Sequence, residues 1–197
     1  MPDDKDIDAP GWDAIEAAVE AVVPPQQPLH WGTGNLPGQD GLYGLSAYRA
    51  GEDWLLITFG LTELFGKESE DPECSGWGFE LTMRIPARDS VQPPPWALNL
   101  LQQLGKYVYS SGRWFEAGHR MQPGGPITGQ PDTRLTAIAF AEDPQLGTID
   151  TPHGKVQFLQ VVGITDDELA RMKAASTAEV LAELAATSPL LVTDVSR

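Results

Sequence analysis

SGWGFELTMR, residues 75–84, is the stretch on which the fold turns. Trp77, Phe79, Leu81, Met83 and, just beyond, Ile85 occupy alternate positions, with Gly78, Glu80, Thr82 and Arg84 between them. Alternation is the period of a β-strand, and apolar groups on one side only predict one buried and one wetter face. On the wetter face Glu80 is expected to pair with Arg84 or with a cation on a neighbouring strand. Gly76 and Gly78 carry no side chain there, which leaves room for another backbone or a partner.

Upstream, LYGLSAYR and DWLLITFGL are joined by Ala50-Gly51-Glu52 and read as a hairpin. Trp54, Leu56 and Thr58 point one way and Leu55, Ile57 and Phe59 the other, so the second strand is expected to be covered on both faces. Before the hairpin, Pro10 followed by Trp12, Ile15, Val19 and Val22 predicts an amphipathic helix stopped at Pro24-Pro25. The turn-rich residues after it are either a surface loop or a short strand around Leu29 to Trp31. Downstream, Trp96, Leu100, Leu101, Leu104, Tyr107 and Val108 recur at helical spacing until Ser110-Ser111-Gly112. A long glycine- and proline-rich loop at 116–133 is followed by two strands, RLTAIAFAE and KVQFLQVVGI. Thr165 with Glu168 and Ser176 with Glu179 are helix-start arrangements, and LLVTDV is expected to close the chain as a strand. There is neither an internal repeat nor a linker, which suits one domain of 197 residues.

Charge narrows the function. Thirteen Lys and Arg against 28 Asp and Glu give a formal −15, a field that repels a phosphate backbone. Residues 106–120 are the most basic stretch, but Lys106, Arg113, His119 and Arg120 are too few to make a nucleic-acid surface. No run approaches the length of a membrane span, and no basic amphipathic helix suggests a lipid surface. One cysteine and an N-terminus without an apolar signal run favour a reducing cytoplasm.

Catalytic patterns fail on inspection. His30, His119 and His153 stand outside any metal-ligand spacing, and Cys74 has acidic neighbours that oppose thiolate formation. Residues 60–68 miss the phosphate-loop spacing, and GTGNLPG at 32–38 has Pro37 where the dinucleotide fingerprint needs its third glycine, so it reads as a turn. Glu63, Glu80, Asp132, Glu142 and Asp143 could form many carboxylate pairs, and abundance alone selects none. No cofactor and no metal are expected.

WLLITFGLTELFG (54–66), SGWGFELTMR (75–84), PPPWALNLLQQLGKYVYSSGRWFEAGH (93–119) and AEDPQLGTIDTPHGKVQFLQVVGITDDEL (141–169) together resemble the suppressor of fused family. The likeness runs in order from about Gly11 to Asp194, and the FGL, SGxGFELT and EDP…TPxGxVxFLQ elements are specific in combination. Eukaryotic members carry a further C-terminal domain, so a chain ending in LLVTDVSR resembles the single-domain bacterial form. The resemblance implies a binding protein. Eukaryotic members sequester zinc-finger transcription factors, gripping an extended segment by strand addition in a cleft between their two domains, and bacterial members are thought to include immunity proteins against a cognate toxin. An acidic inhibitor suits a basic toxin. Phe65 matches an aromatic position of the gripping region, and the acidic loop from Glu68 to Glu73 takes the place of a segment with a ligand-holding carboxylate, although Pro72 interrupts it and its length differs.

The resulting expectation is an α+β fold, a mixed, largely antiparallel sheet with helices packed against it, over 11–197 behind an acidic tail at 1–10. Its function is expected to be non-catalytic sequestration or inhibition of a protein partner, a basic toxin or an extended peptide, through Phe65, Asp71, Glu73 and Glu80. The alternative is a hydrolase using carboxylates near Glu80 with His119 or Asp132 and the 116–133 loop.

Overall fold

The computed structural model describes residues 8–35 and 41–197, so most of the acidic tail and part of the turn at 32–38 lie outside the described residues. In chain order the elements are α1 (Pro10–Glu20), β1 (Leu29–Gly32), β2 (Gly44–Ala50), β3 (Asp53–Phe59), β4 (Cys74–Pro86), α2 (Pro95–Ser111), β5 (Arg120–Met121), β6 (Leu135–Glu142), β7 (Thr148–Thr151), β8 (Gly154–Thr165), α3 (Asp166–Ala174) and α4 (Thr177–Thr187). The strands form one sheet in the order β1-β2-β3-β4-β8-β6-β5, with β7 pairing β8 beside that path. Each described pairing is antiparallel except β4 with β8. The fold is thus the expected α+β arrangement. Among the described residues no helix is long and apolar enough to cross a membrane.

Period-2 patterning places two apolar rows on the sheet, and helices cover both. On one face Leu56, Leu81, Met83, Phe140, Leu159 and Val161 pack against Ala97, Leu100, Leu101, Leu104 and Val108 of α2. On the other, Ile15 and Val19 of α1 meet Leu55, Ile57, Phe59 and Phe158. Further along that second face, Leu169 and Met172 of α3 and Val180 and Leu181 of α4 cover Ala137, Ala139, Val162 and Ile164. Helix α3 starts in a complete capping box, Thr165 and Glu168 each bonding the other's backbone N–H. Helix α4 has the hydroxyl half, Ser176 accepting from the Glu179 N–H.

Two expectations are corrected. The second face of β4 is not wet: Glu80, Thr82 and Arg84 are all 0% exposed. Alternation correctly separated the faces, but residues 58–62 close over Glu80, and Asp143 after β6 closes over Thr82 and Arg84, leaving the polar side no water. Arg84 therefore does not pair with Glu80. Its Nη2 donates to Asp143 Oδ1 at 3.0 Å, and Asp143 Oδ2 also accepts from Thr82 Oγ1 at 2.9 Å. LLVTDV is likewise not a strand. Gln160 Nε2 donates to the carbonyls of Leu190 and Leu191, the Thr193 N–H donates to the Arg84 carbonyl, and Thr193 Oγ1 accepts from the Gly163 N–H. The side chains of Gln160 and Thr193 and a backbone bond to Arg84, not a ladder, pin this segment.

Candidate partner-binding surface

The segment between β3 and β4 is built on two glutamates. At its base, Glu80 Oε1 accepts from the N–H groups of Gly60 and Thr62, both at 2.9 Å, and from Thr62 Oγ1 at 2.8 Å. Glu80 Oε2 accepts from Thr58 Oγ1 at 2.6 Å, and that hydroxyl takes the Leu81 N–H in turn. Burial pushes the Glu80 carboxyl up to about 7, against the bonds from Thr58, Thr62 and Gly60 that favour its charged form.

Further out, Glu63 organises the loop itself. Its carboxylate accepts from the N–H groups of Glu68, Ser69 and Gly76 and from Lys67 Nζ. Burial raises this carboxyl, but the donors from Ser69, Glu68, Lys67 and Gly76 outweigh it and hold it down at about 2. Gly76 closes the loop: its φ is +53°, and a Cβ there would sit 2.8 Å from the Leu61 carbonyl oxygen. Helix α1 fastens the other side, the Gly11 N–H donating to the Leu64 carbonyl at 3.0 Å.

With its interior donors so engaged, the loop presents Glu68, Glu70, Asp71 and Glu73 to solvent. Asp71 Oδ1 accepts from the Glu73 N–H at 2.8 Å, a local turn that sets both carboxylates outward. At the start of the loop, half-buried Phe65 meets Tyr43 edge-on at 5.2 Å. Tyr43 in turn meets Trp12 at 5.6 Å, and Trp12 stacks on Phe59 at 4.1 Å. The partly exposed rings of Phe65, Tyr43 and Trp12, seated on buried Phe59, thus form a row that starts in the loop carrying the four exposed carboxylates.

Phe65, Asp71 and Glu73 share this loop; Glu80 is the buried post beneath it and offers no exposed atom to a partner. Glu80 is bonded neither to His119, which accepts from the Glu116 N–H, nor to Asp132, which accepts from Thr128 Oγ1. Sequence reasoning missed Glu63 as organiser and Asp143 as the partner of Arg84. No local spacing marks either role, because Gly76 and Asp143 are brought in by the fold.

Residues 38–197 match the sequence profile of the family described as Suppressor of fused protein (SUFU). The human Suppressor of fused homolog is 33% identical over 183 residues, covering 82% of this chain. This chain spans only 37% of that relative's length. A solved Sufu–Fu complex superposes with a TM-score of 0.85 at 33% identity, covering 96% of this chain and 91% of the matched one. A SUFU homologue from Neisseria gonorrhoeae FA 1090 shares the fold at 13% identity, with a TM-score of 0.59 and 90% coverage of both chains. The chain belongs to the Suppressor of fused family.

Proposed function

We propose that this protein is a non-catalytic binding domain that sequesters or inhibits a protein partner through the loop between β3 and β4. The observation that carries this reading is the Glu63-centred fold of the loop, which commits its backbone donors inward and displays Glu68, Glu70, Asp71 and Glu73 beside Phe65. Acids beside aromatic rings suit a basic segment, since a cation can pair with the carboxylates and lie over a ring face. The matched Sufu–Fu structure supports the reading because in it a chain of this fold is solved with another protein. In its most specific form, the partner is a basic toxin and this chain its immunity protein.

The test is affinity capture from the native host with wild type and with D71K/E73K, followed by binding measurements on the purified partner. A basic protein held by wild type and lost by the double variant is the expected result; equal capture by both overturns the loop as the binding surface. For the immunity form, co-expression with the toxin rescues growth only when the loop is intact. Growth that is equally poor with wild type and variant overturns that form.

A further inference from the structure

A second surface carries the opposite charge. Where the C-terminal end of α2, strand β5 and helix α3 meet, a groove of about 520 Å³ is lined by Arg113, Trp114, His119, Arg120, Met121 and Lys173, with Tyr107, Phe115 and Leu169 among its apolar parts. Trp114 is 56% exposed, and its indole N–H donates to Glu116 Oε1 at 2.9 Å, which holds the ring in place at the rim. Strand β5 ends the sheet and, among the described residues, pairs with β6 alone, so its outer edge carries backbone groups open to another strand.

Cations without a carboxylate gather here, although Arg49, Lys106 and Lys155 also lack one among the described residues. In a chain of net −15, Arg84, Arg88, Arg134, Arg171 and Arg197 each have a carboxylate partner. Among the described residues Arg113, Arg120 and Lys173 have none; Arg120 Nη1 donates to Thr177 Oγ1 at 3.0 Å. Acids are twice as common as bases in this sequence, yet three bases converge on one groove without being neutralised. At its edge Glu116 is bonded to Trp114 and stands 3.8 Å from His119.

We infer that this groove docks an acidic, extended segment of a protein partner, in which carboxylates alternate with apolar side chains. Its backbone runs along the open edge of β5, its carboxylates meet Arg113, Arg120 and Lys173, and an apolar side chain lies against Trp114. A period-2 segment fits because alternate residues of an added strand face opposite ways, one set toward the groove's cations and the other toward its apolar wall. The patch is local within an acidic field, so a short acidic peptide is favoured over a nucleic acid, whose continuous phosphate chain would extend over repulsive surface.

The test is fluorescence anisotropy with a short labelled peptide alternating Glu and Val and a counterpart alternating Lys and Val. The Glu/Val peptide is expected to bind saturably to wild type and about tenfold or more weakly to R113E/K173E and to W114A, with added salt weakening it further. Residues 113, 114 and 173 are exposed, so these variants keep the fold, which far-ultraviolet circular dichroism checks. D71K/E73K binds this peptide as well as wild type does, which separates the groove from the acidic loop. Equal binding of both peptides, or unchanged binding to R113E/K173E, overturns the inference. So does a concentration-dependent mass that R113E/K173E abolishes without any peptide binding, which would assign the groove to a second copy of this chain.

Discussion

Glu63 and Glu80 both accept hydrogen bonds from the segment between β3 and β4, yet their acidities are driven apart, one carboxyl down to about 2 and the other up to about 7. Neither lacks donors. The difference is solvent and a cation: Glu63 stands near the surface with Lys67 at 3.0 Å, whereas Glu80 is wholly enclosed and receives only neutral donors. A neighbouring interior acid, Asp143, has the cation that Glu80 lacks, Arg84. Three carboxylates, two buried and one near the surface, therefore do three jobs: Asp143 neutralises a buried charge, Glu80 anchors the base of a loop, and Glu63 shapes the loop so that Asp71 and Glu73 can face a partner.

The largest expected effect comes from the buried acid that holds a buried cation. D143A leaves the Arg84 guanidinium buried without its partner, and among the described residues Arg84 Nε and Nη1 bond no acceptor, so a loss of about 3–5 kcal/mol is expected in urea unfolding. A double variant R84M/D143N is expected to recover part of it, because it leaves no uncompensated charge and its amide oxygen still accepts from the Gln145 and Leu146 N–H groups. Next, E80Q puts an amide N–H₂ among groups that themselves donate and costs about 1–3 kcal/mol. Its pH dependence sharpens the comparison. A carboxyl raised from 4.5 to about 7 on folding stabilises fully below 4.5, and that contribution is lost as pH rises through about 7. The stability gap between wild type and E80Q should therefore narrow across that window; a gap that widens would mean that the four donors keep Glu80 ionised.

Glu63 has the opposite sign. Lowered from 4.5 to about 2, it contributes above 4.5, and the contribution is lost as pH falls through about 2. E63Q should cost about 1 kcal/mol in global unfolding near neutral pH and speed amide hydrogen exchange at Glu68, Ser69 and Gly76 about tenfold, since the loop opens more readily. Unchanged exchange would remove Glu63 from its organising role. Smallest in stability is D71K/E73K, within about 0.5 kcal/mol of wild type because both side chains are exposed. Its effect belongs to binding.

These depths also mark what the sequence made legible. The alternation of Phe79, Leu81, Met83 and Ile85, the spacing of Leu100, Leu101, Leu104 and Val108, and the Thr165–Glu168 capping pair are local signals, and each became the element it predicts. The burial of Glu80, Thr82 and Arg84 was not legible, because it depends on Gly60, Thr62 and Asp143, which the fold brings over that face from elsewhere in the chain. Strands β5 and β7 are too short to show a period. LLVTDV has the apolar content of a strand, but its carbonyls are bonded by the side chain of Gln160, a long-range partner that no window of sequence contains. Of the proposed surface, the acidity of residues 68–73 was visible, and the inward bonds to Glu63 that shape it were not.

The parallel pairing of β4 with β8 sets Thr82 beside Gln160, whereas β2, β3 and β4 meet as sequential antiparallel neighbours. The meander can form from nearby contacts, but β8 reaches β4 only after α2 and the long loop behind it have been gathered in, and closing so large a loop opposes every contact made before it. Refolding is thus paced by the arrival of β8, and a chain emerging from the ribosome holds an unmatched β4 edge until residues beyond 154 are available.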